Sequence, residues 1–293
     1  MSARLMHLPA LSTLSTCAAL LCAPAHAVTA DYSFYSSCGP AQTSVQSELP
    51  LSLQGTAKCE NLASGGAGKR EVSYNFYAQA GQVSGGFAAT YDTTQYHNGG
   101  QQASVLLDNF MFEDSFTVVY DNPAITGPVS LTMLFDGQMT ATGSGLGHEA
   151  DGTLSLWVSS TWPATGLSGH GSRGLVERTG SFTSGSSSAN LSPLTLGLNN
   201  GSVVTMRLFA DFYAAGTFSQ GLYGAYPDSV SGQVNGALSW WVEAPEGVHL
   251  ISASGHDYTQ RVSAVPEASS LAMLIGGLGV VGLLSGGRRV AAP

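Results

Sequence analysis

The chain has 293 residues, 37 of them glycine, only 10% charged, and a formal net charge of -9. That length allows one or two domains. Between Val28 and Ser263 there are 18 acidic residues against 7 basic ones, a formal charge of -11, which excludes nucleic acid as a natural partner because phosphate recognition needs a basic surface. The same charge disfavours binding to an anionic membrane surface, and fits solubility or divalent cations.

The N-terminus reads as an export signal. Arg4 supplies a basic start, "ALSTLSTCAALLCAP" an apolar run, and Ala25-His26-Ala27 the small-x-small pattern that signal peptidase cleaves. The expected signal peptide is 1–27, with cleavage before Val28. Cys17 and Cys22 leave with it. Cys38 and Cys59 remain, an even pair in an exported chain, and the spacing predicts a disulfide worth ~3 kcal/mol in the chain-entropy model. Two cysteines without a CxxC or a nearby histidine make a poor zinc site.

From Asp31 to Val262 the pattern is strand-like. "EVSYNFYA" (71–78) alternates Val72, Tyr74 and Phe76 with Ser73 and Asn75, the period-two signature of a half-buried strand. "SFTVVY", "VSLTMLF", "GTLSLWV", "SVVTMRLFADFYA" and "GALSWWV" are rich in β-branched and aromatic residues. Asp136-Gly137 reads as a two-residue hairpin turn, and Asn199-Asn200-Gly201 as another turn. "GSFTSGSSSAN" (180–190) reads as a long loop within one domain, with a flexible linker as the alternative. No helical periodicity precedes residue 270. "GTLSLWV" resembles "GALSWWV", and "NFYA" resembles "DFYA", but at different offsets. Shared strand composition explains these better than a duplication does. Many short strands with turns between them predict an all-β fold, an antiparallel β-sandwich or jelly roll, over residues 28–263.

Chemical motifs in this body are sparse. His148, Glu149 and Asp151 in "GHEADG" lie close in sequence, yet on a strand His148 and Glu149 point to opposite faces. A polar hairpin tip is the simpler expectation. Calcium suits an acidic exported protein, but no EF-hand or tandem nonapeptide pattern is present, and no cofactor is expected. "GLSGH" (166–170) misses the G-x-S-x-G elbow, because His170 replaces the final glycine. A glycosidase needs two carboxylates at a set separation, and nothing selects a pair. Trp240-Trp241 is the better lead. Adjacent strand residues face opposite sides, so one indole enters the core and the other is free to stack on a sugar ring. Trp157 and Trp162 are similar candidates.

The C-terminus carries the most specific pattern. Val265-Pro266-Glu267 precedes Leu271 to Leu284, which has no polar side chain, and Arg288-Arg289 follows. Residues 271–287 as a helix would be about 25 Å long, slightly short for a ~30 Å hydrocarbon core. Basic residues beside a span hold that end on the cytoplasmic face. This order, confined to residues 264–293, resembles the PEP-CTERM sorting signal. Ala268 stands where the second proline is usual, and the basic tail is two arginines followed by "VAAP".

The resemblance implies export by a Gram-negative bacterium that makes exopolysaccharide. It also implies recognition by an exosortase, a membrane-embedded cysteine transpeptidase. The protein would pause in the inner membrane on its C-terminal helix, then pass to the cell surface or extracellular matrix. "APEGVHLISASGHDYTQRVSAVPEASS" also resembles the final strands of β-rich bodies in this group. The expectation is a non-enzymatic surface or biofilm-matrix protein. A carbohydrate-binding module for matrix polysaccharide is the alternative, and a secreted hydrolase stands third. The sorting residues are Ala25 and Ala27, then Val265, Pro266, Glu267, Arg288 and Arg289.

Overall fold

A computed structural model describes residues 28–38, 42–60, 69–92, 101–161, 168–180, 185–218 and 229–262. The expected signal peptide, the sorting tripeptide, the apolar span 271–287 and the two arginines lie outside the described residues. Among the described residues there are fourteen strands and no helix. In chain order the strands are β1 (Thr29–Ser36), β2 (Gln42–Glu48), β3 (Leu51–Glu60), β4 (Lys69–Gln79), β5 (Gln82–Asp92), β6 (Gln101–Tyr120) and β7 (Val129–Ser144). They continue as β8 (His148–Thr161), β9 (Ser168–Gly180), β10 (Ser186–Asn190), β11 (Leu194–Leu198), β12 (Val203–Phe218), β13 (Ser229–Glu243) and β14 (Val248–Ser252).

Two antiparallel sheets form. One runs β10-β9-β8-β12-β6-β1-β2, with β14 also paired to β6; the other runs β11-β7-β13-β5-β4-β3. Each presents an alternating apolar face to the other, as expected for a sandwich. Aromatic rings interlock across the middle. Phe110, Phe112 and Phe212 come from the first sheet; Phe76, Phe87 and Trp240 come from the second. Phe76 meets Phe110 edge-on at 4.7 Å, Phe87 stacks on Phe212 at 5.1 Å, and Phe112 lies 6.2 Å from Trp240. Gly85 makes room for this: a Cβ there would sit 2.8 Å from the Phe212 ring.

β6 is the longest strand and changes phase half-way. Ala103, Val105 and Leu107 face inward; after two successive outward residues, Asp108 and Asn109, the inward set becomes Phe110, Phe112, Asp114, Phe116 and Val118. The register slips at the same point against both neighbours, between Asp31 and Ser33 of β1 and between Ala210 and Phe212 of β12. Asn109 takes a positive φ of 54°, and its N–H donates to Asp211 Oδ1 at 2.7 Å. Asparagine tolerates this left-handed geometry, and the bulge re-aims every side chain after it.

One of the two expected turns is absent, and the other makes a connection between sheets. Asp136 and Gly137 lie inside β7, paired with Ser239 and Leu238 of β13. Gly137 has no left-handed backbone; it is needed because a Cβ would sit 2.6 Å from the Ala237 carbonyl. Asn199-Asn200-Gly201 is a turn, with Gly201 at φ 82°, but it carries the chain from β11 in one sheet to β12 in the other. The serine-rich stretch is neither linker nor open loop where it is described: Ser186–Asn190 pairs with β9 as an edge strand.

Cys38 and Cys59 are disulfide-bonded, with Cα atoms 5.4 Å apart. Cys38 follows β1 in one sheet and Cys59 belongs to β3 in the other, so the bond ties the two layers together. Replacing both by alanine should lower unfolding free energy by ~3 kcal/mol, read as a lower urea midpoint with an unchanged native circular-dichroism spectrum.

Candidate functional site

Two surfaces concentrate polar chemistry. The first is the end of the sandwich where the C-terminal segment returns. Asp114 faces inward between Phe112 and Phe116 and is only 3% exposed. A carboxylate cannot stay there without partners. Oδ1 accepts from the Ser115 and Ser254 backbone N–H groups at 2.8 and 3.2 Å. Oδ2 accepts from Ser254 Oγ at 2.5 Å and from the Tyr258 hydroxyl at 2.6 Å. Tyr258 also accepts from Val242 N–H of β13 through its carbonyl at 2.7 Å. One residue thus pins the end of one sheet to the other. Burial, followed by the nearby charge of Asp114, holds the Tyr258 phenol well above its usual pKa, so it remains a donor.

His256 packs edge-on against Tyr258 at 4.6 Å, and its buried Nε2 has no hydrogen-bond partner among the described residues. Burial lowers its pKa, against the opposing pull of Asp114 and Asp257. Beside this pin lies an open groove of about 360 Å³ that includes Val28, Asp31, Met111, Glu113, Asp114 and Ala253. It marks a break in the ladder along β6. β1 pairs with β6 as far as Phe112, and β14 begins its pairing at Phe116.

The second surface is the outer face of the eight-stranded sheet. The registers place side chains in rows across the strands. One row is Ser172, Trp157, Arg207 and Glu113; the next is Gly174, Ser155, Phe209, Met111 and Asp31. A third holds Val176, Thr153 and Asp211, with Asp108 of the bulge beside it; a fourth holds Arg178, Asp151, Tyr213, Leu106 and Tyr35. Trp157 is 56% exposed and stands between Ser172 and Arg207 in its row. Arg207 Nε donates to Glu113 at 2.8 Å, and Arg178 Nε to Asp151 at 2.7 Å. Asp211 and Asp108 have no cationic partner among the described residues. Partial burial raises the Asp211 pKa; the Asn109 N–H lowers it, and the charges of Asp108 and Asp151 raise it further.

This moves the sugar-stacking candidates. Trp240 is 1% exposed, buried between the sheets against Phe112, so it cannot stack on a glycan. Trp241 does face outward, on the six-stranded sheet, but the Arg261 guanidinium lies 4.8 Å above its ring, and Arg261 is paired in turn with Asp136. Among the described residues Trp157 is the exposed indole. Trp162 lies outside the described residues. No local sequence signal separates Trp157 from the others; only its cross-strand neighbours do.

His148 Nδ1 lies 2.8 Å from the Gly145 carbonyl, Glu149 points to the other side, and Asp151 is held by Arg178. The three do not converge, and among the described residues no group of three His, Cys, Asp or Glu side chains is placed to hold a metal ion. Ser168 of "GLSGH" begins strand β9, paired with Thr161, rather than a strand-to-helix turn. Comparison with protein-family models and with curated proteins gives no match to this chain.

Tyr258→Phe should cost about 1.5–3 kcal/mol, the range for a lost hydrogen bond to a charged group, measured by chemical denaturation. The histidine sets a pH dependence. Its folded pKa lies below the ordinary 6.5, so the stability it contributes is present above pH 6.5 and is lost as pH falls below it. Asp257, held below its ordinary 3.8 chiefly by the Thr259 hydroxyl, acts in the same sense only at more acidic pH. Amide exchange in residues 253–262 should therefore accelerate on acidification from above pH 7 to about 5. His256→Gln should flatten that dependence.

Proposed function

We propose that this chain is an exported surface or extracellular-matrix protein that acts by binding and not by catalysis. In this reading, signal peptidase cleaves after Ala27. The apolar span 271–287 then arrests the chain in the inner membrane, with Arg288 and Arg289 on the cytoplasmic side, and an exosortase processes it at Val265-Pro266-Glu267. The observation that carries the reading is the order of these elements relative to the folded body. The body closes on itself through Tyr258, and only Ser263 and Ala264 separate Val262 from the tripeptide. A short tether of this kind delivers a finished β-sandwich to a membrane enzyme. A second reading, that the body is a carbohydrate-binding module, is favoured by Trp157. An indole that stands exposed on a hydroxyl-rich sheet face has the amphipathic character that suits the apolar faces of sugar rings.

The decisive experiment compares the native protein from cells with and without their exosortase. The expected result is loss of residues 1–27 in both strains. Loss of the C-terminal segment and release to the surface or medium should require the enzyme. Retention of the full C-terminus in the inner membrane in both strains would overturn the sorting reading.

A further inference from the structure

We propose that the outer face of the eight-stranded sheet binds a polysaccharide that carries free amino groups, with Trp157 and Phe209 under its sugar rings and Asp211 and Asp108 facing its ammonium groups. The proposal rests on the carbohydrate-binding reading and extends it to a defined surface and a chemical class of ligand.

Position comes from the register. Trp157 stands opposite Arg207, so Phe209 is its diagonal neighbour on β12, ~7–8 Å away. Asp211 follows Phe209 on the same face, about 7 Å further along the strand. Beyond it Tyr213, Leu106 and Tyr35 form another apolar row across three strands. A carboxylate pair therefore lies between two apolar stations. Thr153, Ser155, Ser159, Ser172 and Thr205 fill the rows around Trp157 with hydroxyl groups.

The composition of this face selects among partners. Trp157, Phe209, Met111, Tyr213 and Arg207 are of types enriched in protein interfaces, so what sets this face apart is the serine, threonine and aspartate interleaved with them, of which serine and aspartate are depleted there. An anionic membrane or a nucleic acid would meet two uncompensated carboxylates. A sugar chain offers apolar ring faces for the aromatics and hydroxyl groups for the serines. The charge then narrows the class. Arg207 already neutralises Glu113, and Arg178 neutralises Asp151, but Asp211 and Asp108 lie together at the bulge without a cation among the described residues. A uronic acid polymer would add repulsion there, and a neutral polymer would leave it unrelieved. An amino sugar supplies the missing positive charge. Partial burial is the main cause of the raised Asp211 pKa, and the charges of Asp108 and Asp151 add to it.

The test uses the secreted, naturally processed protein and three soluble probes in calorimetry at low salt: oligomers of glucosamine, of N-acetylglucosamine and of a uronic acid. The glucosamine oligomer should bind most tightly. Trp157→Ala should weaken every sugar by ~10-fold or more. Asp211→Asn should bring the glucosamine oligomer down to the level of its acetylated counterpart and leave the latter unchanged. Both side chains are on the outer face, so an unchanged melting temperature verifies that each variant is folded. Binding that is equal for amino and acetylated oligomers, yet lost in Trp157→Ala, would overturn the charge assignment and leave the carbohydrate reading standing. Binding that survives Trp157→Ala would overturn the assignment to this face. If no oligomer binds, both this proposal and the carbohydrate reading fail, while the sorting reading is untouched.

Discussion

The rest of the sandwich is organised around one buried carboxylate. Asp114 would be a severe liability in the apolar interior, since an unpaired charge there costs several kcal/mol. It is tolerable only because residues far along the chain come back to it with two hydroxyls and an amide. Its inward direction is itself a consequence of the bulge at Asn109. With strict alternation continued from Leu107, Asp114 would face solvent, and Phe110, Phe112 and Phe116 would leave the core. A single extra residue in β6 therefore dictates both the aromatic packing and the need for a returning C-terminal segment.

This dependence explains how the ends of the body relate. The chain leaves β13 in one sheet, crosses to add β14 beside β6 in the other, then turns so that Tyr258 spans both. At the far end of the sequence the Cys38–Cys59 bond joins the same two layers. Each layer is thus tied to the other covalently near the start of the body and by a hydrogen-bonded pin near its close. The open faces between these ties are free to specialise.

The legibility of the fold follows the regularity of its strands. "EVSYNFYA" alternates and lies in β4, and "GALSWWV", read from its aromatic and β-branched content, lies in β13. In β6 only "SFTVVY" was readable, because Asp108-Asn109 breaks the period and conceals the first half of the longest strand. Asp136-Gly137 has the composition of a turn, but the glycine answers to a carbonyl on a neighbouring strand, which no local pattern encodes. The Asn199–Gly201 turn has the expected local geometry, and local geometry does not say whether the next strand pairs with the last one or joins the opposite sheet. Alternation required one of Trp240 and Trp241 to be buried; which one depended on the phase of β13 against β7. Of the candidate binding face, only Trp157 was legible in the sequence. Its residues come from β1, β6, β8, β9 and β12, and only the registers assemble them.

The short strand β10 has a different consequence. It forms one margin of its sheet, its sequence is Ser-Ser-Ser-Ala-Asn, and all five residues are exposed. Such a margin offers backbone groups to any passing strand but almost no greasy surface to reward the encounter. Copies that met at this margin would gain backbone hydrogen bonds and almost no apolar burial, so β10 is a poor seed for strand-by-strand growth.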